Sequence, residues 1–400
     1  MKIGYIYNEI KNILVINYEI DFSSGDVTEY VNHKNNTIKL VKRSCRFCLP
    51  SGFKSHHLHN DLVALSSLLI IYPFIGTKIE FLFPISDYFY KNCLNSGKRV
   101  SYRKSKHSEM QIRTRTLNTE SLAYSGGIDS TAASISLPEN TWHIFLDRIN
   151  PITKGYFTYH KDQIYYSMDY LLSNNKRIIA IKSDMEYMRE PVGFIFDLAC
   201  GVPNIILSQY LNFKNINYGY VIHHFDQLIS ENLEYYCLGQ WKLFLKPTIH
   251  TKKISVFSFW DKLFKAVDLE LKFPLEKMTE FDTFRIVNSS NYKGHFNSCM
   301  RGFVKNPCKK CKKCCKLMLI NFALTKDKKV EDFKKIITLM RNVLVDYGYR
   351  FENITDYGNF ELLGIYLAYN WIKQLPELQS IYNDVKNYKS EILSLTNKII

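Results

Sequence analysis

The chain has 400 residues, of which 46% are hydrophobic and 23% charged, with a net charge of +15. That length allows two or three domains with a sizeable core, and the balance is ordinary for a soluble globular protein. The positive excess suits a polyanionic ligand (nucleotide, RNA or DNA), and a Lys- and Asn-rich coding bias with solvated faces explains it equally well.

Residues 1–118 read as an N-terminal, β-rich accessory region. Met1-Lys2 leads into a short alternating segment interrupted by Asn8 and Glu9, which is no signal peptide, so the expected compartment is the cytoplasm. Ile13 to Tyr18, Thr37 to Val41 and Lys78 to Phe83 are rich in β-branched and aromatic residues and predict strands. Leu62 to Ile71 predicts a helix capped by Asn60 or Asp61. The apolar run from Leu62 to Phe74 is too short for a membrane span, so no membrane partner is expected. Cys45-Arg46-Phe47-Cys48 is half a metal site, completed by His56, His57 or His59, or else a pair of ordinary thiols. The basic, Ser-rich stretch from Ser96 to Thr116 predicts a linker.

Residues 119–298 form the predicted nucleotide-binding α/β domain. Ser121 to Tyr124 ends a strand, and Ala132 to Ile135 opens a helix. Between them stands Tyr124-Ser125-Gly126-Gly127-Ile128-Asp129-Ser130-Thr131. A Ser-Gly-Gly turn between strand and helix leaves N–H groups to surround an anion, and the helix N-terminus adds partial positive charge. Gly126 and Gly127 allow close backbone approach. Ser125, Ser130 and Thr131 carry hydroxyls, and Asp129 can hold a divalent cation bridging phosphates. A Gly-Gly turn with a Ser helix cap is the plainer alternative. Trp142 to Asp147 and Arg177 to Lys182 predict strands, as does Tyr218 to Ile222. Tyr159 to Ser173 and Val192 to Leu211 predict helices. The alternation implies a parallel sheet with helices on both faces and a ligand at the strands' C-terminal ends. Asp147, Asp184, His223, His224 and Asp226 follow strands and are candidates to meet nucleotide or acceptor.

Residues 299–316 hold half of the ten cysteines, which in this length and compartment are no disulfide framework. Cys299, Cys308, Cys311 and Cys314 stand as Cys-x8-Cys-x2-Cys-x2-Cys. Two overlapping Cys-x2-Cys turns aim thiolates at one centre, which suits structural zinc, with Lys309, Lys310, Lys312 and Lys313 offsetting charge. An iron–sulfur cluster is the alternative, and Cys315 competes as a ligand. Residues 317–400 predict a helical C-terminal region, with helices at Val330 to Leu344 and Glu361 to Leu375.

The Ser-Gly-Gly-x-Asp-Ser run resembles the PP-loop of the ATP pyrophosphatase superfamily. With the four cysteines, Phe273 to Phe281 and Ser298-Cys299, the stretch from Ser121 to Cys315 resembles 7-cyano-7-deazaguanine synthase, an enzyme of queuosine biosynthesis. The resemblance implies an adenine nucleotide α-hydrolase-like fold, ATP, Mg²⁺ and Zn²⁺. It also implies a ligase that cleaves ATP at the α-phosphate, activating a carboxylate or carbonyl for attack by ammonia. Asp129 and Ser130 would be catalytic, and Ser125, Gly126, Gly127, Asp129, Ser130, Thr131 and Asp147 would bind nucleotide. Cys299, Cys308, Cys311 and Cys314 would bind the metal. Two departures point to a different small-molecule acceptor. Gly219 to Asp226 only partly matches the family's Gly-x-Asn-x-x-Asp stretch, and Lys309 replaces its glycine. In outline the chain also resembles synthase-like proteins of bacterial antiphage and modification gene clusters, which implies a role in antiviral defence. Two other functions fit: a tRNA-thiolating PP-loop enzyme, and a non-catalytic module that binds nucleic acid or a partner.

Overall fold

The computed structural model describes residues 1–31, 37–103, 119–149, 161–221, 256–278, 280–296, 299, 307–309, 313–314, 317–318 and 320–321. Two compact units result, one of residues 1–158 and 167–279 and one of residues 159–166 and 280–400.

The first unit is built on a ten-stranded sheet. Its parallel half consists of β8 (Glu120–Tyr124), β9 (Trp142–Arg148), β10 (Arg177–Ser183), β12 (Asn215–Asn217) and β13 (Glu270–Lys272), in the spatial order β13-β12-β8-β9-β10. Helix α3 (Ile128–Ser136) follows β8, and α5 (Val202–Leu207) precedes β12. The register decides where these helices lie. Leu122 pairs with His143, whose ring meets Ser134 of α3, while Ser121 one residue earlier bonds Asn204 of α5. Successive strand residues point to opposite faces, so α3 and α5 cover opposite faces of the sheet. His143 to Asp147 are all buried, as expected of a strand enclosed on both sides.

The other half continues the same sheet from β10 through β5 (Ser44–Cys48), β2 (Ile13–Glu19), β1 (Lys2–Asn8), β6 (Lys78–Phe81) and β7 (Arg99–Tyr102). The pairs β10/β5, β5/β2 and β2/β1 are antiparallel, and β1/β6 and β6/β7 are parallel. The sheet therefore runs across the boundary expected at residue 118, and strand β7 lies in the stretch predicted as linker. A small second sheet joins β3 (Glu29–Val31), β4 (Thr37–Leu40) and β11 (Arg189–Glu190).

Helix α1 (Asn60–Ile71) is buried at every position from Asp61 onward and packs on β1 and α5. A helix apolar all round belongs inside a core. Each of its buried leucines and isoleucines contributes roughly 2 kcal/mol of transfer free energy. Its cap is His59, whose Nδ1 accepts from the Asp61 N–H at 3.1 Å. Asp61 in turn accepts from the Ser86 N–H at 2.9 Å, and Ser86 caps α2 (Asp87–Leu94). The predicted Val192–Leu211 helix shortens to a 3₁₀ turn at Asp197–Gly201 followed by α5, because Gly201 and Pro203 interrupt the helical run. The expected fourth strand is displaced to β12. Among the described residues, no helix is long and apolar enough to cross a membrane.

In the second unit lie the first residues of α4 (Lys161–Ser173), helix α6 (Glu280–Asn288) and the cysteine cluster. The expected helices at 330–344 and 361–375 lie outside the described residues, as do His223, His224 and Asp226.

Candidate nucleotide loop and metal centre

The Ser-Gly-Gly loop leaves the C-terminal end of β8, the middle strand of the parallel half. From β8 the chain winds outward through β9 and β10, then crosses back to β12 and β13 on the other side. Strand order thus reverses between β8 and β12, and a doubly wound sheet opens its ligand crevice at such a point.

Within the loop, Gly126 has φ +74°, a left-handed conformation natural to glycine. Ser167 of α4 lies 3.9 Å from where a Gly126 β-carbon would stand. Helix α3 begins after Gly127, which offers no capping side chain. The carbonyl of Gly127 instead accepts from Ser130 Oγ at 3.0 Å, Thr131 Oγ1 at 2.9 Å and the Thr131 N–H at 3.0 Å. Ser125 and Ser130 hydroxyls sit 3.1 Å apart, and the Ser125 N–H donates to Ser130 Oγ at 3.3 Å. These bonds fold the loop back on the first turn of α3, whose N-terminus carries partial positive charge. Ser125 is exposed and Asp129 half-buried, while Ile128, Ser130 and Thr131 are buried.

Behind the loop, α3 is fastened to the sheet by polar contacts. His143 Nδ1 stands 3.1 Å from the carbonyls of Thr141 and Arg177, so it carries the proton, and Nε2 accepts from Ser134 Oγ at 2.7 Å. Burial lowers the His143 pKa to about 4, which keeps the ring neutral. Tyr124 meets the His143 ring edge-on and lies 3.4 Å from Thr131 Oγ1.

The chain leaving β12 reaches Gly219 beside the loop. A β-carbon there would stand 3.0 Å from the Asp129 carbonyl carbon and oxygen and from Ser130 Cα. Close approach of two backbones explains this glycine, which in sequence stood out only as part of an imperfect match. Tyr220 follows, and near it lie Cys200 and Asp197. Burial, with the Asp197 charge adding, pushes the Cys200 thiol up to about 12, so it is a neutral thiol. Arg148, at the end of β9, engages Glu186 through Nε and Nη2, the latter at 3.1 Å from Oε1. Neither Arg148 nor Glu186 was singled out in sequence, where no spacing joins them.

Asp147 is buried at the end of β9, one register step beyond the strand level of the loop. Asp184 faces the N-terminal strands, accepting from Lys42 Nζ at 3.1 Å and the Arg46 N–H at 2.8 Å. Those bonds, not the nucleotide crevice, account for it. Cys45 and Cys48 belong to β5, with Cys45 and Phe47 buried on one face. His57 Nδ1 accepts from the Lys54 N–H and His59 caps α1, so among the described residues these groups form no metal cluster. A cavity of about 320 Å³ opens by Lys2, Gly4, Ile6, Asn17, Glu19 and Leu82 on the N-terminal strands. Its charged pair, Lys2 and Glu19, is already bonded at 2.7 Å, and it lies away from the loop.

In the second unit, Cys299, Cys308 and Cys314 place their sulfurs within 4.8 Å of one another. Cys308 and Cys314 Sγ are 3.9 Å apart, and the Cys308 N–H donates to Cys299 Sγ at 3.3 Å. Thiolates about 2.3 Å from one tetrahedral ion stand about 3.8 Å from each other, so the donor set fits a single metal ion. Cys299 and Cys314 are buried. Lys309, directly after Cys308, has φ +54°. It holds the left-handed turn that the expected glycine would have made, at a cost of roughly 1 kcal/mol. Cys311 and Cys315 lie outside the described residues.

A family described only as being of unknown function (DUF6395) matches residues 259–367, a stretch with the cysteines but not the loop. No curated protein matches the chain. Among solved structures, the chain is similar to the U34-tRNA thiolase NcsA from Methanococcus maripaludis with its 4Fe-4S cluster. That likeness has 14% identity and a TM-score of 0.27, covering 69% of this chain and 80% of that one.

Proposed function

We propose that the chain is an ATP-dependent adenylating enzyme of the PP-loop kind, forming a C–N bond on a carboxylate or carbonyl acceptor. One observation carries the reading: Ser125-Gly126-Gly127-Ile128-Asp129-Ser130 spans the end of the middle parallel strand and the start of α3, where strand order reverses.

The loop N–H groups and the exposed Ser125 hydroxyl would hold the β- and γ-phosphates, while Ser130 and Thr131 brace the loop through the Gly127 carbonyl. An acceptor carboxylate oxygen attacks the α-phosphorus, and the bond to the bridging oxygen breaks, releasing pyrophosphate. Ammonia then adds to the acyl carbon and gives up a proton, while AMP leaves with the electron pair of the broken C–O bond. Asp129 would hold Mg²⁺, which when bound neutralises charge on the departing pyrophosphate. Positioning supplies much of the rate in such a reaction, so no protein nucleophile is required. Asp147, buried near the end of β9, would be the residue that meets the ribose or acceptor. Gly219 and Tyr220 occupy the altered substrate stretch, in keeping with an acceptor other than a deazaguanine acid.

The cysteines would hold structural Zn²⁺ through Cys299, Cys308 and Cys314, with Cys311 as fourth ligand. The short sulfur separations favour one ion over a cluster, whose cysteines bind separate irons. The test is to incubate the full chain with α-labelled ATP, Mg²⁺, ammonia and a panel of carboxylates. AMP and pyrophosphate in equal amounts, dependent on acceptor, are expected. ADP and phosphate as the products would sink the reading.

A further inference from the structure

Two adjacent glycines leave the nucleotide loop free to turn its peptides, so bonds must fix their direction. Gly127 carries no side chain to restrict ψ, yet it is held at φ −78° and ψ 170° where α3 begins. Three donors converge on its carbonyl: Thr131 Oγ1 at 2.9 Å, Ser130 Oγ at 3.0 Å and the Thr131 N–H at 3.0 Å. Only the last is the ordinary bond of a helix. A carbonyl oxygen turned toward the phosphates would set its partial negative charge against theirs. Drawn into the helix, it leaves the opposite, N–H edge of that trans peptide turned the other way.

The protons show which hydroxyl does the holding. Ser130 and Thr131 each commit their one O–H to the Gly127 carbonyl, so toward other neighbours each can only accept. Tyr124 OH, 3.4 Å from Thr131 Oγ1, is therefore the donor of that pair, and Ser125 Oγ, 3.1 Å from Ser130 Oγ, the donor of the other. The two pairs differ in burial. Ser125 is exposed, so a ligand that draws its hydroxyl away also disturbs Ser130. Thr131 and Tyr124 are buried, at 0% and 3% exposure, out of a ligand's reach. Tyr124 is itself fixed, edge-on to the His143 ring at 5.6 Å, and that ring bonds Ser134 Oγ at 2.7 Å. Thr131 is thus the anchor that stays when phosphates arrive.

We propose that Thr131, oriented by Tyr124, is the positioning residue that keeps the Gly127 carbonyl out of the phosphate site. It touches no substrate and acts only through the loop peptide. Thr131 has this role only if the loop binds phosphate, as the proposed adenylation requires, and has it whatever the acceptor.

The experiment compares wild type with Thr131→Val, Thr131→Ser, Tyr124→Phe and Ser134→Ala, each in the full chain. Calorimetry with inorganic pyrophosphate and Mg²⁺, the KM for ATP from AMP release, and thermal unfolding are measured on each. Thr131→Val keeps the shape and loses the hydroxyl, so pyrophosphate affinity should fall and ATP KM rise about tenfold, the effect of about one hydrogen bond. Thr131→Ser should restore both to within about twofold, with Tyr124→Phe between the two. Ser134→Ala loosens the same helix without touching Gly127, so it should lower the melting temperature and leave both constants unchanged. Wild-type affinity in Thr131→Val or Tyr124→Phe, no rescue by serine, or an equal loss in Ser134→Ala would overturn the proposal. So would a wild type that binds no pyrophosphate. Pyrophosphate bound through Thr131, with no AMP formed from any acceptor, would keep Thr131 in its role and remove the adenylation alone.

Discussion

Gly219 and Asp129 are packed backbone to backbone: a β-carbon at 219 would stand 3.0 Å from the Asp129 carbonyl. The chain after β12 and the first turn of α3 thus touch directly beside the loop. Gly219→Ala should push these two segments apart by a few tenths of an ångström. We expect ATP cleavage to drop about tenfold or more, since small misplacements of reacting groups are costly. Stability should fall by only about 1–2 kcal/mol, within the range for local overpacking. Parallel measurement of AMP release and thermal unfolding checks this, and undiminished turnover would remove Gly219 from the site.

Asp129 is half-buried in the first turn of α3, where its charge favours the helix by roughly 0.3–1 kcal/mol. Asp129→Asn keeps the shape and removes the charge that would hold Mg²⁺. Acceptor-dependent AMP formation should fall on the order of 100-fold, with melting temperature almost unchanged. A variant with full activity across a Mg²⁺ titration would end the assignment of phosphate and metal handling to this residue.

The contrast between these positions shows what the sequence makes legible. Ser125 to Ser130 was readable because an anion-binding turn is local, six consecutive residues between a strand and a helix. Strands β9 and β10 were readable from their apolar runs, and β8 from its short apolar stretch directly before the loop. Gly219 was not, because its constraint comes from a backbone ninety positions earlier in the chain. The same holds for Arg148 with Glu186, and for Asp184 with Lys42, pairs made only by sheet register. Strands β5, β7 and β13 were missed because they are short, three to five residues, and are held by pairing to neighbours more than by their own pattern. The shared sheet of residues 1–118 and the parallel strands is likewise a matter of non-local pairing, which composition does not record.

His143 makes stability depend on pH in a defined window. Its folded pKa is lowered to about 4 by burial, against about 6.5 in an unfolded chain. Above 6.5 both states are neutral and the full contribution is present. As pH falls from 6.5 to 4 the unfolded chain takes up a proton that the folded one refuses, so stability is lost, by roughly 3 kcal/mol at most. Below 4 no more is lost through this group. Urea unfolding at pH 7.5, 5.5 and 4.5 should show a shallower decline in His143→Gln than in wild type. Equal slopes would mean that the ring is not the buried neutral group described.

The metal centre yields its own prediction through Lys309. The φ of +54° there suits glycine and is tolerated by lysine, but a β-branched residue resists it strongly. On the proposed single-ion reading, Lys309→Gly should therefore retain one metal ion per chain and resist chelation at least as well as wild type. Lys309→Val should lose zinc at a lower chelator concentration, roughly tenfold, because the turn that aligns Cys308 with Cys299 is strained. Cys299→Ser, which removes a buried donor, should lose the ion outright and destabilise the second unit, as structural zinc sites contribute folding energy directly. Elemental analysis and chelator titration followed by tryptophan-independent far-ultraviolet circular dichroism read all three variants. A brown protein with iron and labile sulfide after anaerobic purification would replace the single-ion centre with a cluster. Sulfur separations as short as 3.9 Å between Cys308 and Cys314 weigh against that outcome, since neighbouring thiolates of a cluster sit on different irons.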